Sequence, residues 1–135
     1  MLRISKLADY ATLIMTRLAR ETDKLSSASS LARSLQLSVP VVSKILKILC
    51  QAGLISSARG ADGGYKLARL ATEISLAEVI AAIEGEMAVT ECCSKLSTCA
   101  LEETCGTKNH WKAINSAIYS ALSGVTLQDV AIKSQ

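Results

Sequence analysis

The chain has 135 residues, 50% of them hydrophobic and 20% charged, which predicts one globular domain and excludes a disordered or fibrous protein. Its single histidine disfavours an enzyme. Its few aromatic residues, three Tyr, one Trp and no Phe, disfavour a protein that binds single-stranded nucleic acid by stacking bases on aromatic rings. The net charge of +3 is uneven: residues 1–69 hold 11 Lys and Arg against 4 Asp and Glu (+7), and residues 70–135 hold 4 against 8 (−4), which indicates a polyanionic partner for the first half.

A predicted amphipathic helix opens the chain. Its apolar residues recur at helical spacing, and a polar cluster at 21–24 ends it. No stretch reaches the about 20 apolar residues of a membrane helix, and no signal-peptide cleavage site follows the first helix. A cytoplasmic location, where cysteines stay reduced, is therefore expected. The apolar stripe of this helix comprises Leu7, Ala11, Ile14 and Leu18.

Two short helices follow and predict a helix-turn-helix, a DNA-binding motif. Ser27 is expected to cap the first, over Ala28–Leu35, and Ser38 to cap the second, which Gly53 stops. Pro40 fits the first turn of the second helix. The expected core stripe of that helix is Val41, Ile45, Ile48, Leu49 and Ala52, and the opposite stripe is Pro40, Ser43, Lys44, Lys47 and Gln51.

A glycine-rich hairpin comes directly after these helices. Residues 54–58 and 65–68 read as strands around a turn at 59–64 that contains three glycines. A hairpin in this position is the wing of a winged helix, and Arg59 at its neck suits the narrow minor groove of DNA.

The second half begins with a capping box, Ser75 and Glu78, before a helix that Gly85 ends. The loop after it holds four of the five cysteines, and three of these are evenly spaced. Thiolates spread along a loop suit an iron–sulfur cluster, but zinc and a thiol switch stay open as alternatives. Cys50, on the third helix, is interpreted as a buried small hydrophobe. The loop cysteines are Cys92, Cys93, Cys99 and Cys105.

Three cysteines leave a fourth ligand position open. His110 and Asp9 are candidates, although a surface histidine and a solvated carboxylate are equally good interpretations of the spacing. After the loop, a long helix carries an apolar stripe that is either a dimer seam or ordinary core. The stripe comprises Trp111, Ile114, Ile118, Leu122 and Val125.

Together these motifs resemble the IscR/NsrR type of bacterial winged-helix regulators. The resemblance covers essentially the whole chain, from residues 2–6 through the wing, 59–65, to the three-cysteine loop. Residues 90–111 look most like the branch that regulates the SUF iron–sulfur assembly operon. The resemblance implies a homodimer with crossed C-terminal helices, an iron–sulfur cluster and double-stranded operator DNA as the partner.

The resemblance also implies a ligand set. Cys93, Cys99 and Cys105 match the family's ligand cysteines, whereas Lys108 occupies the place of the IscR histidine. Asp9 matches the first-helix aspartate of the NsrR branch and is the preferred fourth ligand, ahead of His110 and Cys92. The nuclearity, [2Fe-2S] or [4Fe-4S], stays open. The residues expected to contact DNA are Ser38, Pro40, Val41, Ser43, Lys44, Lys47, Arg59 and Gly60.

The expected fold is mainly α with a small β-hairpin wing: a winged helix-turn-helix in residues 1–70, and a cysteine-loop and dimerisation region in 71–135. The expected function is that of a cluster-sensing, DNA-binding repressor of iron–sulfur assembly genes, not of an enzyme. Three alternatives stay open: a nitric-oxide or redox sensor of other genes, a clusterless regulator of cysteine metabolism, and a scaffold that stores or passes on a cluster.

Overall fold

The computed structural model describes residues 3–94, 100–101 and 103–133. Helices α1 to α3 are followed by a two-stranded antiparallel hairpin and then by α4 to α6, with short 3-10 turns at Ala71–Glu73 and Glu91–Cys93. The elements are α1 (Lys6–Arg20), α2 (Ala28–Leu35), α3 (Val39–Gln51), β1 (Ile55–Ala58), β2 (Gly64–Leu67), α4 (Leu76–Glu84), α5 (Lys108–Ser123) and α6 (Leu127–Lys133).

The helix-turn-helix has the predicted boundaries. The Ser27 hydroxyl accepts a hydrogen bond from the backbone N–H of Ser30 at 3.1 Å, which caps α2. Gln36 adopts a left-handed conformation with φ of 58°, and this reverses the chain between α2 and α3. Ser38 precedes α3, but its side chain makes no capping hydrogen bond, so that part of the prediction is wrong.

The buried face of α3 differs from the predicted stripe. Val42, Ile45, Leu46 and Leu49 are buried, whereas the predicted Ala52 is exposed. The predicted Val41 and Ile48 are only half-buried. Most of α3 is apolar, so two neighbouring stripes fit the helical period equally well, and packing against α1, α2 and α4 selects the one centred on Val42 and Leu46.

The wing is joined to the start of α2. The two strands pair from Ile55 with Leu67 to Ala58 with Gly64. Ser26 and Tyr65 exchange two backbone hydrogen bonds, of 3.0 and 2.8 Å, and so hold the hairpin against the turn before α2. A Cβ atom on Gly64 would lie 2.7 Å from the Ser26 carbonyl oxygen, so only glycine permits this approach.

The capping box of α4 is confirmed. The Ser75 hydroxyl accepts from the Glu78 backbone N–H at 3.2 Å, and the Glu78 carboxylate accepts from the Ser75 backbone N–H at 3.0 Å. Gly85 follows as the C-cap with φ of 82°, as predicted.

Helix α1 lies at the centre of the core and packs against α3, α4 and α6. Helix α6 was not predicted, although Thr126 and Asp129 form a reciprocal cap at its start. Leu127 of α6 is fully buried, and Arg20 of α1 donates to the Ala131 carbonyl at 3.4 Å. No helix among the described residues is long and apolar enough to span a membrane.

Helix α5 stands apart from this core. All sixteen of its residues are described and none is buried. The alternative that its apolar stripe is ordinary core is therefore wrong, and Val125 lies beyond the end of the helix. Asn115 holds α5 to the segment after α4: its side chain accepts from the Val89 N–H at 2.9 Å and donates to the Met87 carbonyl at 3.3 Å.

Candidate nucleic-acid interface and cysteine segment

The outer face of α3 is polar and basic. Pro40, Ser43, Lys44 and Lys47 are exposed, as the sequence predicted, and Val41 is half-buried. Within the described chain, the side chains of Ser43, Lys44 and Lys47 make no hydrogen bond or ion pair, so they are available to a ligand. The helix contains no acidic residue. This face can therefore approach the phosphates and base edges of a duplex without repulsion.

The wing carries two more of the predicted DNA-contacting residues, and the last of them, Ser38, is exposed directly before α3. Arg59 and Gly60 are exposed, and Gly60 has φ of 111°, a conformation that favours glycine. They line an open cavity of about 430 Å³ together with Ser27 at the start of α2. The structure thus brings Arg59 and the start of α2 to the same cavity.

The first part of the cysteine segment is compact. Cys92 is buried, with 8% exposure, and Cys93 is half-buried. The Thr90 hydroxyl lies 3.1 Å from the Cys92 sulfur and 3.4 Å from the Cys93 sulfur. Neither cysteine forms a disulfide. Cys99, the middle cysteine of the predicted set, lies outside the described residues.

Cys105 begins the approach to α5. Its sulfur lies 3.2 Å from the Thr107 hydroxyl. The hydrogen bond to that hydroxyl, helped by the backbone N–H groups of Thr107 and Lys108, lowers the pKa of the Cys105 thiol below its ordinary value. The thiolate, the form that binds metals, is therefore favoured here.

The two predicted fourth ligands lie on different helices. Asp9 is exposed in the first turn of α1, and His110 is exposed in the first turn of α5. Among the described residues, which exclude Cys99, no three His, Cys, Asp or Glu side chains come together at metal-binding distances. Cys50 is half-buried against the core, and burial raises the pKa of its thiol, as expected for a packing residue.

Sequence reasoning missed three residues of these sites. Thr90 and Thr107 touch the cysteines, and Asn115 connects the segment before them to α5. The only sequence signal was position, since each threonine lies two residues from a cysteine.

The sequence matches the Rrf2 family, described as iron-dependent transcriptional regulators, over residues 4–133. It is 32% identical to Protein aau3 of Rhizobium meliloti over 130 residues, 96% of this chain and 84% of that protein. It is 28% identical to the HTH-type transcriptional regulator NsrR of Halalkalibacterium halodurans over 131 residues, 96% and 90% of the two chains.

Two solved structures are similar over nearly the whole chain. CymR, the global cysteine regulator of B. subtilis, has a TM-score of 0.81 at 29% identity and covers 100% of both chains. T. potens IscR has a TM-score of 0.78 at 28% identity and covers 99% of this chain and 89% of its own.

Proposed function

Because the chain belongs to the Rrf2 family of transcriptional regulators, we propose that it binds operator DNA as a homodimer and responds to an iron–sulfur cluster held by its cysteine segment. Cys93, Cys99 and Cys105 would hold the cluster, with Asp9 as the fourth ligand. The proposed targets are iron–sulfur assembly genes of the SUF type, which the protein represses.

The observation that carries the proposal is the donor set of the cysteine segment. Cys93 and Cys105 are free, half-buried thiols at the two ends of a stretch whose centre holds Cys99. Soft thiolate donors on one loop fit the ligand preference of an iron–sulfur cluster. When bound, such a cluster supplies a redox-active group that oxidants and nitric oxide can attack.

A continuous set of contacts connects this segment to the DNA-binding face. The turn Glu91–Cys93 and α4 both pack against α5, and α4 also packs against α1 and α3. The Glu84 carboxylate at the end of α4 accepts from the Ser5 backbone N–H at 2.9 Å, just before α1. A change in order at the cysteines would therefore alter the support of α3, which supplies a physical basis for regulation.

The exposed apolar surface of α5 supports the proposed homodimer. Trp111, Ile114 and Tyr119 are 41%, 43% and 50% exposed, on a helix with no buried residue. Packing this apolar surface against the same helix of a second copy would remove it from water.

The decisive experiment is anaerobic purification of the full chain, followed by its visible absorption spectrum and its iron and sulfide content. We expect a coloured protein with iron and acid-labile sulfide in similar amounts, whose affinity for operator DNA changes when the cluster is removed. A colourless, iron-free protein that still binds DNA would overturn cluster sensing.

A colourless, iron-free protein that still binds DNA would support a different function, that of a clusterless regulator of cysteine metabolism. The similarity to the global cysteine regulator over the full length of both chains favours it as the second candidate. In that case the cysteine segment would act through its thiols or through a partner protein. DNA binding would then be insensitive to iron removal under reducing conditions.

We expect Arg59→Ala and Lys47→Ala to weaken DNA binding in different ways. Arg59 in the wing should read a groove, so its loss should cost about 1–3 kcal/mol on the operator. Lys47 should contact phosphate, so its loss should weaken all sequences similarly and reduce the salt slope by about one. Binding titrations at several salt concentrations measure both effects. Unchanged affinity in both variants would show that neither α3 nor the wing contacts DNA.

The fourth ligand is tested by a matched pair of variants. Asp9→Ala should keep the fold and the dimer but alter the spectrum or the stability of the cluster, because it removes the proposed fourth ligand. In the wild type that position is expected to be labile, since a carboxylate is a weaker iron ligand than a thiolate. His110→Ala should leave the spectrum unchanged. If His110→Ala loses its colour while Asp9→Ala keeps the wild-type spectrum, His110 and not Asp9 is the fourth ligand.

A further inference from the structure

The first turn of α3 presents an apolar surface on the side that meets solvent. Val39 is 45% exposed, and Pro40 next to it is exposed as well. Both lie at the N-terminal end of the outer face, ahead of Ser43 and Lys44. In a helix-turn-helix this end of the second helix enters the major groove and contacts base edges.

The side chains of this turn restrict which bases can be read. The first five positions, Val39 to Ser43, include no Arg, Lys, Asn, Gln, Asp or Glu, so the Ser43 hydroxyl is the one side-chain group among them that can hydrogen-bond a base edge. The one apolar feature in the major groove is the C5 methyl group of thymine. An exposed Val39–Pro40 surface therefore has a single complementary base.

We propose that Val39 and Pro40 specify thymine in the operator by packing against its methyl group. The inference rests on the proposed binding of DNA and adds to it the base feature that is read. Val39 was not among the residues that the sequence analysis expected to contact DNA.

The surroundings of this surface favour DNA over a protein partner. Lys44 and Lys47 follow it on the same exposed side of α3, and the helix carries no acidic residue. The two lysines can bind the phosphate backbone of DNA while Val39 and Pro40 contact the thymine methyl group. A protein partner would not require this combination of an apolar surface and neighbouring unpaired lysines.

The test uses a duplex selected from a random library with the full chain as purified anaerobically. Each thymine of the selected half-site is replaced in turn by deoxyuridine, which removes the methyl group and keeps the base pair. At one or two positions the wild type should bind about three- to fivefold more weakly, as expected for one lost methyl contact. In Val39→Ala or Pro40→Ala that loss should shrink to less than about 1.5-fold.

Lys44→Ala is the matched control, because it should weaken binding overall while keeping the full loss at the same thymine. Thermal unfolding of each variant confirms that α3 is intact. If the wild type binds the duplex but no deoxyuridine substitution weakens it, the thymine proposal is wrong and DNA binding stands. If a substitution weakens wild type and both apolar variants equally, another residue reads the methyl group. If no duplex is selected, the proposed function itself fails.

Discussion

Replacing Cys105 with alanine should abolish the visible absorption of the anaerobically purified protein. Cys105 is one of three thiols expected to hold the cluster, and its sulfur contacts the Thr107 hydroxyl directly before α5. Alanine offers no donor, and the two remaining thiols would leave the iron exposed to solvent and prone to loss. Iron and sulfide content should fall with the colour, and operator binding should match that of the wild type after cluster removal.

Cys50→Ala is the control for this variant. Cys50 is half-buried in α3 against the core and has no place in the proposed ligand set. It should therefore keep the spectrum and the iron content of the wild type. A Cys105→Ala protein that retains both would exclude Cys105 as a ligand.

The second large effect concerns stability. Leu46→Ala should lower the free energy of unfolding by about 2–5 kcal/mol, because Leu46 is fully buried and its loss leaves a cavity in the core. Urea unfolding followed by circular dichroism measures the change. Reduced DNA affinity should accompany it at elevated temperature, since α3 carries both the core residue and the outer face.

Ile48→Ala provides the comparison, because Ile48 lies two residues along the same helix and is only half-buried. Its cost should be clearly smaller than that of Leu46→Ala. The pair also tests the orientation of α3, since the stripe predicted from the sequence contained Ile48 and not Leu46. A larger loss for Ile48 than for Leu46 would contradict the packing described above.

The sequence predicted much of the fold wherever a local chemical signal marks an element. The Ser75–Glu78 capping box, the Gly85 stop and the wing were all correct to within a residue or two. The winged-helix fold and the IscR/NsrR-type resemblance are confirmed by the Rrf2 family match and by the similarity to IscR and CymR. The family consists of regulators and not enzymes, as expected.

The errors occurred where tertiary packing decides between equivalent patterns. The apolar residues of α3 fit two stripes, and only contacts with neighbouring helices select the one containing Leu46. Helix α6 was missed because it is short, although its Thr126–Asp129 cap was present in the sequence.

At the candidate site, the sequence suggested the cysteines as ligands, which stays a prediction, and it did not indicate the residues that contact them. The even spacing of the cysteines can be read from the sequence itself, so Cys93, Cys99 and Cys105 could be chosen directly as candidate ligands. Thr90 and Asn115 could not be chosen from the sequence, because their contacts form only in the three-dimensional fold. The assignment of Asp9 and the boundary between residues 1–70 and 71–135 stay predictions.

The isolation of α5 has a consequence for how the protein denatures. None of its sixteen residues is buried, so its contacts with α4 and the Glu91–Cys93 turn stabilise it less than burial in the α1-centred core would. In the proposed homodimer α5 would gain further packing from the second copy, so by mass action the melting temperature should rise with protein concentration. At low protein concentration, heating should first separate the proposed dimer and fray α5, and the α1-centred core should melt at a higher temperature.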